Sequence, residues 1–178
     1  MAELGKLELK KFFGLRKEMS LGFYLTDLLF RKILRQNASI KWAVHHTSTL
    51  HCGEKIIKGK NVFPGDSPGV YINATNGVLI GDYSNIGPNV GILSTNHDFV
   101  NNDIQNTAEP IEIGKFCWMG MGAIILPGIK LGDFTIVGAG AIVTKSFADG
   151  YCVIAGNPAK VITNLNKEEC NAFAETKK

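Results

Sequence analysis

The side chain of this sequence that could most directly do chemistry is the imidazole of His97. It lies in a polar stretch at residues 94–110, reading STNHDFVNNDIQNTAEP. An imidazole, whose pKa is about 6.5 in water, can take a proton from a hydroxyl or an amine near neutral pH. A single histidine in a polar loop is more often a solvated surface residue, so the residue type alone leaves both interpretations open.

The other histidines and the cysteines do not have the spacing of a metal site. His45, His46 and His51 lie close together, and the next histidine along the chain is His97. A zinc site needs three or four ligands that converge. The four cysteines are spaced singly, at positions 52, 117, 152 and 170. We therefore expect no metal, and we expect the cysteines to be small apolar side chains in a reducing compartment.

A six-residue repeat of aliphatic side chains predicts the element that positions His97. The first series comprises Val44, Leu50, Ile56, Val62, Ile80, Ile86 and Ile92. It is interrupted between Val62 and Ile80, where Pro68 and Ala74 occupy the repeat positions. The second series comprises Ile113, Met119, Ile125, Leu131, Val137 and Val143. In six of these hexads the next residue is glycine, and 17 of the 20 glycines lie between Gly53 and Gly156.

A period of six fits neither an α-helix nor the alternation of an isolated strand. It fits a short strand followed by a corner, with one aliphatic side chain per hexad in a shared core. Glycine after that side chain gives the corner the backbone freedom that it needs. Three hexads then form one triangular coil, so the pattern predicts an all-β solenoid, a parallel β-helix of stacked coils.

The two series are out of register, which predicts a loop. The step from Ile92 to Ile113 exceeds three hexads by half a hexad. The chain must therefore leave the coil between them, and the polar residues 94–110 form the expected extruded loop. A loop on a rigid scaffold is a common place for function, and this one contains His97.

The two ends of the chain follow other patterns. Apolar residues at helical spacing between Leu21 and Leu34, with Arg and Lys among them, predict one or two amphipathic helices. Residues 1–41 have a net charge of +5, and residues 42–178 have a net charge of −2. We expect a basic arm at residues 1–41, a β-helix at 42–165 and a short helix or tail at 166–178. The arm could pack on the first coil or a neighbouring subunit, or it could touch an anionic membrane surface.

Length and composition exclude several classes of protein. The 178 residues are 45% hydrophobic with a net charge of +3, which is ordinary for one globular domain. No apolar run is long enough to span a membrane, and we find no secretory signal pattern. The basic charge is confined to the arm, so we expect no nucleic-acid partner. We expect a cytoplasmic protein, with the inner face of the membrane as the alternative location.

Several motifs in a fixed order carry a family resemblance that covers residues 42–165. They are the hexads, Asn96-His97, CWMG at residues 117–120, VGAGAIVTK at 137–145 and AGNPAKVI at 155–162. In these motifs the chain resembles the hexapeptide-repeat acyltransferases. It is similar in particular to the maltose and galactoside O-acetyltransferases and to the acetyltransferases that modify bacterial polysaccharides.

The resemblance implies a left-handed parallel β-helix that assembles as a homotrimer with active sites between subunits. It also implies acetyl-CoA as co-substrate, bound in a groove between two solenoids, and a saccharide as acceptor. His97 would be the general base that deprotonates the acceptor hydroxyl, which attacks the thioester directly. A backbone N–H near Gly120 and Met121 would stabilise the developing oxyanion.

The resemblance also assigns the binding residues. Asn73, Asn96 and Trp118 would bind the acceptor. Alternatively, Asn73 could have only a conformational role at a corner of the solenoid, and Trp118 could be only a packed aromatic side chain at a corner. The residues that would contact coenzyme A are Gly120, Met121, Ala139, Thr144, Lys145, Pro158 and Lys160. The two lysines offer positive charge to phosphates, although either could belong to a solvated face of the solenoid.

Alternatives to this function remain open. In the maltose and galactoside enzymes an acid of the helical N-terminal region helps to build the acceptor site, whereas residues 1–41 here are basic and we find no match for that acid. Asp98 stands where those enzymes often have proline. An N-acetyltransferase acting on an amino sugar or a nucleotide-linked amino sugar would share the base, the cofactor and the fold. A non-catalytic trimeric scaffold is the alternative of another class. A γ-type carbonic anhydrase would need three metal-binding histidines on adjacent coils, and that set is missing here.

Overall fold

The structure, a computed structural model, describes residues 19–177 of the chain. Residues 1–18 of the predicted basic arm lie outside the described residues. In the described part, fourteen short strands follow a helical N-terminal segment and precede a C-terminal helix. The helices are α1 (Leu21–Asp27), a π-helical segment (Leu28–Ile33), a 3-10 turn (Gly53–Lys55) and α2 (Lys167–Glu175).

The strands form three faces of a triangular coil, and the chain visits them in turn. The first face holds β1 (Thr49–His51), β3 (Tyr71–Asn73), β6 (Gly91–Leu93), β9 (Ile124–Ile125) and β12 (Ile142–Val143). The second face holds β2 (Ile56–Lys58), β4 (Val78–Ile80), β7 (Ile111–Ile113) and β10 (Lys130–Leu131). The third face holds β5 (Asn85–Ile86), β8 (Trp118–Met119), β11 (Thr135–Val137), β13 (Cys152–Ala155) and β14 (Lys160–Asn164). All of these strand pairs are parallel except β13 with β14, which confirms the predicted β-helix.

The core is the stack of inward side chains inside the triangle. On the first face, neighbouring strands pair in one row that runs through Leu50, Ile72, Ile92, Ile125 and Val143. None of these five residues is more than 5% exposed. The small residue at the fifth position of a hexad, such as Ala123 or Ala141, is buried as well. One hexad therefore contributes two side chains to the core, and burial of this apolar surface stabilises the solenoid.

The lapse in the repeat at Pro68 and Ala74 has a structural cause. Leu50 pairs with Ile72, and Ile72 pairs with Ile92, so each of these two coils is longer than three hexads. Together the two coils are longer than six hexads by the length of one further hexad. The aliphatic period therefore returns in phase after them.

The predicted loop leaves the solenoid at the corner between the first and second faces, which we call the first corner. Strand β6 ends at Leu93 and β7 begins at Ile111, so residues 94–110 are extruded as expected. The corner between the second and third faces is the second corner, and the corner between the third and first faces is the third corner.

The second corner carries an aromatic ladder that the sequence analysis did not predict. Tyr83, Phe116, Phe134 and Tyr151 occupy the same corner position in successive coils, each with φ between 50° and 60°. Their rings stack with centroids 4.8 to 5.4 Å apart. A positive φ costs a residue with a Cβ about 1–2 kcal/mol, and ring stacking of about 0.5–1.5 kcal/mol per pair offsets part of this cost.

The C-terminal helix α2 covers this ladder. The ring of Phe173 meets the edge of Phe116 at 6.0 Å, and the Tyr151 hydroxyl donates to Asn171 at 2.9 Å. The Tyr83 hydroxyl donates to the backbone carbonyl of Lys177 at 2.7 Å. The predicted C-terminal helix is therefore confirmed, and it is held at the second corner, away from the loop.

The N-terminal helical segment is present but is oriented with its polar side toward the protein. The buried carboxylate of Asp27 accepts hydrogen bonds from Arg31 at 2.6 and 2.8 Å and from the backbone N–H of Val44 at 2.9 Å. The leucines of the segment and Ile33 are exposed, so its aliphatic side does not pack on the first coil. Within residues 19–177, no helix is long and apolar enough to cross a membrane.

Candidate functional site

The base of the loop is tied to the coil before it. The backbone N–H of Asn76 donates to the Ser94 hydroxyl at 2.8 Å. The Asn76 side-chain amide donates to the carbonyls of Ser94 at 2.8 Å and Asn106 at 3.1 Å. The Thr95 hydroxyl donates to the same Asn106 carbonyl at 2.8 Å. The two ends of the loop are therefore held together against one coil, and the loop starts from a rigid base.

Within the loop the chain doubles back, which holds His97 in place. The Asn106 N–H donates to the Asn96 carbonyl at 2.7 Å, and the Asp98 N–H donates to the Ile104 carbonyl at 2.9 Å. His97 faces Gln105 across this antiparallel pair. The histidine is exposed, so its ring is accessible to a ligand.

The protonation of His97 follows from its ring contact in the loop. Its Nδ1 lies 2.5 Å from the backbone carbonyl oxygen of Asn102. Because a carbonyl oxygen can only accept, Nδ1 must carry the proton. Nε2 of the neutral ring then has a free lone pair, which is the form that a general base needs.

The carboxylate of Asp98 shapes the loop through hydrogen bonds to the backbone. It accepts from the backbone N–H groups of Val100 and Asn101, each at 2.9 Å. These two hydrogen bonds lower the pKa of the Asp98 carboxyl below its ordinary value. The turn that they stabilise leads directly to Asn102, whose carbonyl orients His97.

The tip of the loop is apolar and fully exposed. Phe99 and Val100 are 98% and 97% exposed, and Ile104 beside them is half exposed. Exposure of a phenyl ring to water is unfavourable. An exposed apolar tip of this kind next to His97 is typical of an interaction surface.

Asn73 is brought to the base of the loop. Strand β3 pairs with β6 so that Asn73 lies beside Leu93, and the Ser94 N–H donates to the Asn73 carbonyl at 2.9 Å. The Asn73 side-chain oxygen accepts from the N–H and the hydroxyl of Thr75 at 3.1 and 2.7 Å. The side-chain oxygen therefore serves the turn, and the side-chain NH2 is the group that could reach an acceptor.

Trp118 is not near His97 in one chain. It lies on β8 of the third face and is 52% exposed. The third face is the side of the triangle opposite the first corner, from which the loop carrying Asn96 and His97 leaves. The three predicted acceptor residues therefore separate into Asn73 with Asn96 at the first corner and Trp118 on the far face.

The predicted coenzyme A residues also fall into separate groups. Gly120, Met121 and Ala139 lie at the third corner, Thr144 and Lys145 lie at the first corner, and Pro158 and Lys160 lie at the end of the solenoid. Met121, Ala139 and the two lysines are exposed. The two corner groups flank the first face, so no single corner of the chain holds the whole set.

The backbone at the third corner is stacked closely from coil to coil. A Cβ on Gly120 would lie 2.7 Å from the backbone nitrogen of Ala139 and 2.8 Å from the Val137 oxygen, so only glycine fits there. The Gly120 N–H donates to the same Val137 carbonyl at 2.7 Å. That N–H belongs to the strand ladder, which leaves the Met121 N–H as the candidate donor to an oxyanion.

The remaining titratable clusters do not form a metal site. Within the described part of the chain, no group of three His, Cys, Asp or Glu side chains is placed to hold a metal ion. The four cysteines are free, and burial raises the pKa of the Cys117 thiol to about 11. A thiol with this pKa is protonated at neutral pH and is a core side chain.

Three parts of this arrangement were not predicted from the sequence. They are the hydrogen bonds of Asn76 at the loop base, the contact of the Asn102 carbonyl with His97, and the aromatic ladder. Only the ladder has a sequence signal, a recurring Gly-(Asp/Lys)-(Tyr/Phe)-(Ser/Cys/Thr) at residues 81–84, 114–117 and 132–135. The two loop contacts depend on how the chain folds back and have no signal in spacing.

Comparison with known proteins gives one family match. The family model described as the hexapeptide repeat of succinyl-transferase matches residues 110–145. A Dictyostelium discoideum protein described as an acetyltransferase is 48% identical over 91 residues, which are 49% of this chain and 47% of that protein. The chain spans about half the length of the curated relatives that it matches.

Two solved acetyltransferase structures are similar in fold to this chain. A galactoside acetyltransferase bound to coenzyme A has a TM-score of 0.65 at 25% identity, with 92% of each chain covered. A maltose O-acetyltransferase from Clostridium difficile 630 has a TM-score of 0.58 at 33% identity, covering 65% of this chain and 62% of that one. The chain therefore contains hexapeptide repeats over residues 110–145, and its left-handed parallel β-helix is similar to the fold of the maltose and galactoside acetyltransferases.

Proposed function

We propose that this protein is an acetyl-CoA dependent O-acetyltransferase that acts on a saccharide hydroxyl. The observation that carries the proposal is the contact between His97 Nδ1 and the Asn102 carbonyl, which leaves Nε2 free as a base. The base stands on a loop with a rigid root beside Asn73. The similarity to maltose and galactoside acetyltransferases supports acetyl transfer to a sugar.

In the proposed reaction His97 moves one proton. Nε2 takes the proton from the acceptor hydroxyl while that oxygen attacks the thioester carbonyl carbon. The new C–O bond forms, the C–S bond breaks, and the imidazolium returns the proton to the leaving thiolate. Acetyl-CoA supplies the activated acyl group, and the chain supplies the base and the oriented donors.

The Met121 N–H would stabilise the negative charge that develops on the carbonyl oxygen. It is adjacent to Gly120, whose own N–H is used by the strand ladder. Losing one such donor typically costs about 3 kcal/mol of transition-state stabilisation. The exposed lysines, Lys145 and Lys160, would pair with phosphates of the cofactor, and the small Ala139 would let its adenine approach.

The proposed assembly is a homotrimer whose active sites lie between copies. Three observations support it: the far position of Trp118, the division of the cofactor residues between two corners, and the uncovered tip at Phe99 and Val100. The first corner of one copy would contact the third face and the third corner of the next, which would bring His97, Trp118 and the two corner groups of cofactor residues together. Such a head-to-tail contact closes into a ring when the rotation is that of a trimer.

Replacing His97 tests the proposed reaction. His97→Ala should lower kcat for acetyl transfer about 10²- to 10⁴-fold, because the general base is lost. Asp103→Ala is the matched control, since Asp103 is exposed in the same loop and makes no proposed contact with a substrate. If His97→Ala retains full turnover of acetyl-CoA with the true acceptor, the mechanism is wrong and a scaffold role is favoured.

The acceptor is identified by an acetyl-CoA turnover screen over mono-, di- and lipid-linked sugars with analysis of the product. Acetyl esters are expected. Transfer to amines but not to hydroxyls would replace the O-acetyltransferase with an N-acetyltransferase acting on an amino sugar, which would use the same base.

A further inference from the structure

The N-terminal helical segment presents an apolar surface to solvent. We call this surface the apolar helix face, and its members are Leu21, Leu25, Leu28, Leu29, Ile33 and Leu34. Leu25 and Ile33 are 67% and 66% exposed, which is unusual for large aliphatic side chains in one short segment. A contiguous apolar patch of this kind marks an interaction surface.

The orientation of the segment is fixed by its polar side. Asp27 is 5% exposed and is held by Arg31 and by the backbone N–H of Val44. Arg31 also donates to the carbonyl of Ile40 at 2.9 Å. Turning the apolar side inward would break a buried ion pair and strand its charges, which is strongly unfavourable. The apolar helix face therefore points away from the protein in the folded chain.

The exposed charges of residues 19–41 are all of one sign. Within residues 19–41 the only acid is Asp27, and Arg31 neutralises it. Lys32, Arg35 and Lys41 are exposed, so every exposed charge of the segment is positive. An exposed apolar face on a segment whose exposed charges are all positive matches the boundary of an anionic bilayer, which offers acyl chains and negative headgroups together.

We propose that the apolar helix face docks on an anionic membrane surface, with the helix lying in the plane of the interface. The segment is too short to span a bilayer, so the contact is peripheral. Lys32 and Arg35 would contact lipid phosphates while Leu25 and Ile33 enter the headgroup boundary. This proposal is independent of the acetyl transfer proposed above.

The test measures flotation of the full chain with vesicles of phosphatidylcholine, with or without phosphatidylglycerol. The chain should float with the anionic vesicles only, and added salt should weaken the binding. Leu25→Glu and Ile33→Glu should each lower the vesicle-bound fraction about tenfold, because each places a charge in the buried face. Ile57→Glu is the matched control and should not change binding, since Ile57 is 64% exposed on the second face of the solenoid.

Three results would overturn the proposal. The first is a wild-type chain that does not bind anionic vesicles. The second is equal binding by the wild type and both face variants, which would assign the membrane contact to another part of the chain. The third is a loss of oligomer mass in Leu25→Glu and Ile33→Glu with no effect on flotation, which would show that a second copy covers the face.

Discussion

At the scale of single residues, the proposed chemistry depends on two hydrogen-bonding side chains that are neighbours in sequence. His97 would act on the substrate, whereas Asp98 positions the turn that aims the Asn102 carbonyl at His97 Nδ1. Asp98 accepts from two backbone N–H groups, and an asparagine oxygen could do the same. The carboxylate is therefore needed as an acceptor and not as a charge beside the imidazole.

We expect Asp98→Ala to lower kcat about tenfold, because the turn loses its cap, while Asp98→Asn retains most of the activity. The two hydrogen bonds lower the pKa of the Asp98 carboxyl. The carboxylate therefore caps the turn fully at any pH above its ordinary pKa of 3.8, and the cap is lost only when the pH falls through the lower pKa of the folded protein. The pH profile of kcat near neutral pH should thus be the same in the wild type and in Asp98→Asn. A shifted profile in Asp98→Asn would show that the charge acts on His97 directly.

At the scale of elements, the aromatic ladder at the second corner connects the coils to the C-terminal helix. Phe116 stacks on Tyr83 and Phe134 and also meets Phe173 of α2. It does so at a φ of 55°, where a Cβ is unfavourable. The ring therefore stabilises a corner that its own backbone conformation strains.

This conflict predicts an unusual order of variants at Phe116. Phe116→Ala should lower the free energy of unfolding by about 2 kcal/mol, because stacking is lost while the strain stays. Phe116→Gly should be about 1 kcal/mol more stable than Phe116→Ala, since glycine adopts a positive φ freely. At Phe147, whose φ is not positive, the Phe147→Ala variant should be more stable than the Phe147→Gly variant. Urea unfolding of the four variants measures this, and the same order at both positions would contradict it.

At the scale of the whole molecule, the residues of the proposed active site lie apart in a single chain. The loop with His97 leaves the first corner, whereas Trp118 lies on the opposite face. A triangular solenoid cannot bring a corner and its opposite face together, because the core lies between them. A second copy is the simplest way to complete the site.

Mixing of two impaired variants tests this arrangement. His97→Ala and Trp118→Ala should each be impaired alone. When both are co-expressed, random trimers should recover about a quarter of the wild-type activity, because a site between copies can draw each intact residue from a different chain. If each site lay within one chain, every site would keep a defect and no activity would return.

The repeat itself determined much of this protein. One aliphatic residue and one small residue per hexad must enter a shared core, and a fixed period over many hexads is compatible with few folds. The same periodicity located the loop at residues 94–110, because only a departure from the coil explains a shift of register. The resemblance carried by CWMG, VGAGAIVTK and AGNPAKVI then pointed to acetyl transfer.

Only the tertiary structure decided which atoms meet. The Asn102 carbonyl reaches His97 because the loop folds back on itself, and such a contact between a side chain and a distant backbone group has no pattern in the sequence. The outward orientation of the N-terminal helix depends on the buried pair of Asp27 and Arg31. Hydrophobic spacing shows that a helix has an apolar side, but the partners of its polar side decide which way that side faces.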